Sequence, residues 1–408
     1  MDYKTTEGFA QRVEPRSLAA HFAAITDPRK PRGKRYQLAP LLVLMVLAKL
    51  CGADKPVEIA EWVSARTEAL KQALGLAWPR MPHTSTYRRL LSTVIQIAEL
   101  EQQARQFIGA PSEPAQTGEP PAVKAEQVPA QAVATDQVLA LDGKTVRGTI
   151  PSGETQGLHL LSLYHVSEGA TLAQTAVAQK ENEISAAPRL IKQVAVRGRT
   201  VTGDAMLAQR KLSQQILQAG GDYLWTVKQN HPVLYADVAR HFATERLPAL
   251  AHLQDFRTHT EIDKGHGRIE QRTLTASTDL NDYLAWPGLA QVFEIKRERY
   301  LCRTGETTTE TVYGLTSHSR QRASAACLLQ LNRAHWGIEN GLHYRRDVTF
   351  GEDRCRIKSQ TAAEALAVFN NVAIRLIAQA GWTNAAQARR YYDGNIGKAL
   401  RLILSAPS

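Results

Sequence analysis

The sequence predicts an α/β protein, a mixed sheet flanked by helices with a β-rich insertion, preceded by an all-helical N-terminal domain. Three observations carry that prediction. Up to about residue 108, apolar residues recur at helical spacing. From Gly109 to Gln137 the chain turns to Pro, Ala, Gln and Glu with almost no large apolar side chains, so this stretch cannot repay its ordering entropy. From Val138 onward, short strand-like runs alternate with helix-like ones. The chain has 408 residues, 43% hydrophobic and 22% charged, which suits two or three globular domains with a real core.

The N-terminal part (1–108) opens with MDYKTTEGFA, which has acidic residues and no apolar core, unlike a signal peptide. Leu38 to Leu50 is apolar nearly all round, but too short for a membrane span and interrupted by Lys49; it reads as a buried helix. Val57 to Leu74 reads as an amphipathic helix through Ile59, Trp62, Val63, Leu70 and Leu74. After a Pro-broken stretch, a further helix starts near His83, with Thr84 or Ser85 as its N-cap and Arg88 and Arg89 in its first turns. Helix, break and basic capped helix is the plan of a helix-turn-helix DNA reader, and equally of a small bundle with a solvated face. Arg29, Lys30, Arg32, Lys34 and Arg35 crowd a Pro- and Gly-broken loop, either as a phosphate clamp or as solvated charge.

Residues 109–137 form a linker. Beyond it, Val138–Leu141 reads as a buried strand ending at Asp142, followed by a Gly143-Lys144 turn. His159–Val166 and Thr171–Gln179 continue a meander. A helix over Ile184–Val194, a strand tipped by Asp204, a helix over Met206–Gln218 and a strand over Tyr223–Lys228 complete the first part of the core (138–230). Residues 231–318 hold one helix, Val233–Glu245, and strand-like Thr- and charge-rich segments, here read as an insertion. The second part of the core (319–408) carries a helix from about Ser324 on past Glu339, and a helix over Thr361–Ala380.

Lys and Arg number 50 against 39 Asp and Glu, a net charge of +11 that makes a polyanion the first partner to consider. Four cysteines lie far apart without a C-x-x-C pair, which excludes a zinc ribbon and argues against a disulfide framework. No Gly-rich phosphate loop, G-x-S-x-G or H-E-x-x-H occurs. Carboxylates and positive charge remain. Asp142 and Asp204 fall at strand ends, where open α/β sheets place their sites, although an aspartate there also serves as a turn former or cap. Hard carboxylate oxygens suit Mg²⁺. Spacing alone does not separate Asp142, Asp204 and Glu339 from Asp347, Glu352 or Asp353.

The strings LALDGKTVRGT, VTGDAM, LWTVKQNHPVL, GHGRIEQRTL and RAHWGIENGLHYRRDVTFGED, in this order, resemble the successive blocks of the ISAs-type, or H-repeat-associated, insertion-sequence transposases. ITDPRKPRGKRYQLAPLLVLMVLAKLCG resembles the helical domain that precedes their catalytic core. The likeness runs from about residue 18 to 380. It implies an RNase H-like catalytic core of the DDE group, with Asp142, Asp204 and Glu339 as its acidic triad. It implies two Mg²⁺ ions, or Mn²⁺ in their place, held by those three residues, and no nucleotide cofactor.

On one helical face, Glu339, His343 and Arg346 would lie together with Trp336, itself expected in the core. The chain departs from the family pattern at Arg345 and Arg346, which stand where apolar residues are expected. These two are either contacts to DNA strand ends or basic groups held by Asp347, Glu352 and Asp353. His343, a cation beside Glu339 that can hold a phosphate, together with Lys144, Lys228, His266 and Arg268, completes the expected DNA contacts, with solvated edge charge as the plain alternative for the insertion. The resemblance implies a cytoplasmic, nucleoid-associated protein without membrane contact, a homodimer on paired element ends that cuts and joins DNA. Two rivals share the fold: a domesticated DNA-binding protein, and a structure-specific nuclease that never joins strands.

Overall fold

The computed structural model describes residues 7–108, 135–178, 181–244 and 255–406; most of the expected linker, 109–134, lies outside them. Seven helices come first: α1 (Glu7–Ala10), α2 (Leu18–Ala23), α3 (Leu38–Leu50), α4 (Pro56–Ala65), α5 (Thr67–Leu74), α6 (Thr84–Arg89) and α7 (Ile97–Ile108). As its composition predicts, α3 is wrapped on all sides, with every residue from Leu41 to Ala48 at 0% exposure. The expected single helix over Val57–Leu74 is two helices broken at Arg66. The N-cap of α6 is neither Thr84 nor Ser85 but His83, whose imidazole accepts from the Ser85 amide at 3.2 Å. The connection from α5 to α6 runs from Gly75 to His83, longer than the three- or four-residue turn of a helix-turn-helix.

One nine-stranded mixed sheet follows, in the order β3-β2-β1-β4-β5-β9-β8-β7-β6. Its strands are β1 (Val138–Val146), β2 (Leu158–His165), β3 (Ala170–Val177), β4 (Thr200–Gly203), β5 (Asp222–Val227), β6 (Arg257–Gly265), β7 (Arg268–Ser277), β8 (Gln291–Leu301) and β9 (Thr307–Thr316). β1, β4 and β5 run parallel; β2 and β3 are antiparallel to β1 as a meander. The β-rich insertion extends the same sheet, since β9 pairs antiparallel with β5 and β8, β7 and β6 follow outward. β1 differs from its sequence reading. It does not turn at Gly143-Lys144 but continues to Val146, because β2 holds it extended through the pairs Asp142↔Ser162 to Val146↔Leu158.

Helices α8 (Glu183–Ile191), α9 (Arg210–Gln218), α10 (Pro232–Thr244) and α11 (Ala325–His335) cover the sheet, and α12 (Gln360–Gln379), α13 (Ala385–Gly394) and α14 (Ile396–Leu404) end the chain. α9 starts at Arg210 rather than Met206, because Asp204 turns the chain first. α12 is long and apolar enough to cross a membrane, yet 78% of its apolar window is buried inside the protein. It packs on α3, α7 and β3, so the N-terminal helices share one apolar core with the sheet.

A buried polar chain threads that junction. Lys49 donates to Asn370 (2.7 Å), Asn370 to Glu352 (3.0 Å), and Arg346 to Glu352 (2.9 Å) and Gln174 (2.9 Å). Arg389 closes it on Asp54 at 2.7 Å. Buried polar groups need such partners, because an unpaired one costs its desolvation.

Candidate active site

Two aspartates meet because two parallel strands are in register. Leu141 of β1 pairs with Gly203 of β4, so Asp142 and Asp204 are the next residues on neighbouring chains. At Asp204 the strand stops. One carboxylate oxygen, Oδ1, accepts from the amides of Met206 (3.0 Å) and Leu207 (3.3 Å), fixing the side chain as a cap. Asp142 stays in the strand, half-buried, with Oδ2 accepting from or facing His343 Nε2 at 3.0 Å.

The third acid arrives from the far end of the chain. α11 does not run on past Glu339: it ends at His335, capped by Trp336, and two π-helical turns follow, Glu339–His343 and Arg345–Thr349. The first turn puts Glu339 and His343 over β1, where one ligand atom each from Asp142, Glu339 and His343 lies within 4.8 Å of the others. Gly341 permits this approach, since a Cβ there would strike the Tyr164 hydroxyl and come within 3.0 Å of its ring. Glu339 is exposed and His343 buried. Trp336 is 61% exposed, not in the core as expected, because the helix ends there and leaves it at the surface.

Behind the acids sits His335, which the sequence reading missed although it precedes Glu339 by one helical turn. Its Nδ1 is 3.1 Å from the Thr202 hydroxyl. Burial pushes its pKa down against the opposing pull of Asp142 and Asp204, so the imidazole is neutral beneath the site. On the other side of Asp204 opens a cleft of about 570 Å³, lined among others by Lys228, Asn230 and Tyr235. Asn230 Nδ2 donates to the Ala205 carbonyl at 2.7 Å and ties that wall to the Asp204 turn.

The expected basic contacts divide sharply. Arg346 is fully buried, held by Glu352 and Gln174, and is out of reach of DNA. Lys144 is 8% exposed, its ammonium 2.5 Å from Asp347, 3.2 Å from Asp353 and 3.8 Å from Glu352. Burial raises the Asp347 pKa while Lys144 opposes it. Arg29 is clamped on Asp27 at 2.8 Å and on the Tyr36 carbonyl at 2.7 Å. Arg268 leans on buried Glu270 at 3.4 Å, and Arg345 donates to the Thr383 carbonyl at 3.2 Å. Lys30, Arg32, Lys34, Arg35, Arg88, Arg89, Lys228 and His266 are exposed, His266 at the tip of the β6–β7 hairpin with φ 51°.

Residues 19–108 match the model of the DDE_Tnp_1-associated family, and residues 134–376 match that of the transposase DDE domain. The chain belongs to the DDE transposase family. The "H repeat-associated putative transposase YhhI" of Escherichia coli K12 is 26% identical over 373 residues, covering 90% of this chain and 91% of that protein. The "Putative transposase YncI" of Escherichia coli O157:H7 is 27% identical over 374 residues, covering 88% and 87%. A piggyBac transposase synaptic complex with hairpin DNA covers 99% of this chain and 80% of its own at 12% identity and a TM-score of 0.38, too loose a likeness to carry a structural argument. The transposase is an enzyme that acts on DNA, and its DDE domain implies the use of a divalent metal. The acid cluster fits such an ion: Asp142 and Glu339 offer hard oxygen donors, and Asp204, adjacent to Asp142, keeps Oδ2 clear of its capping bonds.

Proposed function

We propose that this transposase moves an insertion sequence, binding its terminal inverted repeats, cutting the DNA strand at their ends and joining the freed end to target DNA. The observation that supports this most directly is the meeting of Asp142, Glu339 and His343 beside Asp204, from three remote parts of the chain. The strand order β3-β2-β1-β4-β5, with β1, β4 and β5 parallel, supports the reading of an RNase H-like core. Helices α1–α7 act as the end-binding part, and the exposed cations Lys30, Arg32, Lys34, Arg35, Arg88 and Arg89 lie on it.

Asp142, Asp204 and Glu339 would hold Mg²⁺, two ions on this reading. Bound there, the ions would lower the pKa of a water and offset charge on the scissile phosphate. The protein's own contribution is placement. His343 fixes Asp142 through the 3.0 Å contact, the backbone amides of Met206 and Leu207 fix Asp204, and the π-helical turn fixes Glu339. Water then displaces the 3′-oxygen of one phosphodiester, forming one P–O bond as another breaks and leaving a 3′-hydroxyl. That hydroxyl attacks a target phosphodiester, again one bond for one, and no covalent protein intermediate arises. Two ends treated alike call for a homodimer on paired DNA, working in the cytoplasm at the nucleoid.

The test is a duplex carrying the element's end incubated with the protein and Mg²⁺. Cleavage and strand-transfer joints are expected from the wild type, and end binding without cleavage from Asp204→Ala and Glu339→Gln. Full cleavage by a folded Asp204→Ala protein refutes the assignment. Cleavage without joints identifies a nuclease instead, and binding without cleavage a protein that no longer transposes.

A further inference from the structure

Beyond the second π-helical turn, a short 3-10 turn (Glu352–Arg354) leads into residues 355–359, which run without regular secondary structure beside the N-terminal helices. Their side chains alternate. Cys355 and Ile357 are turned toward the core, whereas Arg354, Arg356 and Lys358 are exposed. This segment forms one wall of a cleft of about 500 Å³ whose other wall carries Lys55 and Arg88. Five cations thus face one groove. Lys55 pairs with Glu58 at 2.9 Å, but Arg88, Arg354, Arg356 and Lys358 have no carboxylate within 4.0 Å among the described residues. Of the five, only Arg88 draws attention in the sequence, because the other four are dispersed among helix caps and an irregular segment.

We propose that this cleft grips the sugar–phosphate backbone of the duplex whose strand is cut at Asp142, Asp204 and Glu339. The inference rests on the reading of those acids as the cutting centre. Arg354, Arg356 and Lys358, exposed at alternate positions on one wall, offer three cations to one phosphate backbone. Ser359 caps the 20-residue helix α12 here, and its positive end adds to the field.

The cleft is also anchored to the catalytic strand. The Arg147 amide donates to Asp353 at 2.9 Å, and Gly148 lies so close to the segment that a Cβ would come within 3.0 Å of the Asp353 carbonyl. From Asp142 to Arg147 along and just beyond β1 is about 16 Å, or about five base-pair steps of B-form DNA. A bound duplex therefore reaches both places without bending, and the contact reads charge rather than sequence.

The experiment measures affinity for labelled duplex DNA by fluorescence anisotropy between roughly 50 and 200 mM salt. It compares full-length wild type with the triple variant Arg354→Gln, Arg356→Gln, Lys358→Gln. A control triple, Lys192→Gln, Arg197→Gln, Arg199→Gln, removes equal charge before β4, at the opposite end of the parallel strands. The cleft variant is expected to lower the slope of log K against log salt by about 2 to 3, and to weaken binding at least about tenfold for end-containing and random duplexes alike. The control should bind as the wild type does. Should the triple variant melt below the wild type, Arg356→Gln alone gives the same readout with a slope change of about one. A wild type that binds and cuts, with cleft variants that bind equally well, overturns the cleft and leaves the cutting centre standing. A wild type that binds no duplex overturns both, and cleft variants that bind poorly beside a Glu339→Gln protein that still cuts support the cleft while removing the acid assignment.

Discussion

Glu352→Ala should be among the most damaging single substitutions in the molecule, although Glu352 lies outside the acid cluster. Its carboxylate sits 2.8–3.0 Å from the guanidinium of Arg346, accepts from Asn370 at 3.0 Å and lies 3.8 Å from Lys144. Glu352 is 5% exposed and Arg346 0%. Removing the acid leaves a buried guanidinium without its counter-charge, which costs about 3–5 kcal/mol, and strands the Asn370 amide as well. Urea unfolding at pH 7 should show the unfolding free energy lowered by that amount, through a lower midpoint at unchanged slope. Glu352→Gln, which keeps an acceptor oxygen, should lose less. The double variant Glu352→Leu, Arg346→Met should recover much of the loss, because an apolar pair of similar volume avoids burying charge. A Glu352→Ala protein within about 1 kcal/mol of wild type would mean that Arg346 finds water or another partner, and the buried network would lose its structural role.

Gly341→Ala should cut activity and stability together: the new Cβ meets the Tyr164 ring and pushes the Glu339–His343 turn off β2, an overpacking cost of about 1–3 kcal/mol, seen as lost cleavage and a lower melting point. His318, 1% exposed, is held by burial at a pKa of about 4 from its ordinary 6.5, with Asp222 pulling it up and Arg322 down. The unfolded chain takes up this proton below about pH 6.5 and the folded chain only near 4. Stability present above pH 6.5 is therefore lost as pH falls toward 4, by up to about 3 kcal/mol. Chemical denaturation at pH 7 and pH 4.5 checks the sign, and His318→Gln should make the loss shallower; an unchanged pH slope in that variant counts against the assignment.

Much of the sheet was legible in the residues, and its misreadings have local causes. β2, β3 and β5 are apolar runs between turn residues, and each lies within a few positions of its expected span. β1 was cut short in the reading because Asp142-Gly143-Lys144 has the chemistry of a turn; only the ladder to β2, eight residues long from Leu139 to Val146, keeps it extended. The break after α11 leaves no trace in periodicity. It arises where Gly337 packs against Val166 of the loop after β2, a contact between segments remote in sequence. An aspartate at a strand end serves as a cap or as a site residue; at Asp204 Oδ1 caps the turn, and the β1–β4 register sets the residue next to Asp142. His335 leaves no mark in the sequence because a half-buried histidine held neutral is defined by its surroundings.

The count of charges in a sequence also conceals which of them are spent on the protein itself. Arg346 and Lys144 are adjacent in space to the acid cluster, yet the first is buried on Glu352 and the second is surrounded by Asp347, Asp353 and Glu352. A phosphate approaching Lys144 must compete with a carboxylate already 2.5 Å away and gains little Coulombic energy there. Beside Asp204, Lys228 has no carboxylate partner among the described residues, and further out the same holds for Lys30, Arg32 and Arg35 after α2, Arg88 and Arg89 on α6, and Arg354, Arg356 and Lys358. On the proposed reading, recruitment and cutting therefore fall to different residues. Since exposed contacts to phosphate weaken steeply with salt, whereas the Asp142–His343 pairing and the Asp204 cap are short contacts inside the fold and are screened less, added salt should act on duplex affinity well before it acts on the cleavage rate of DNA already bound.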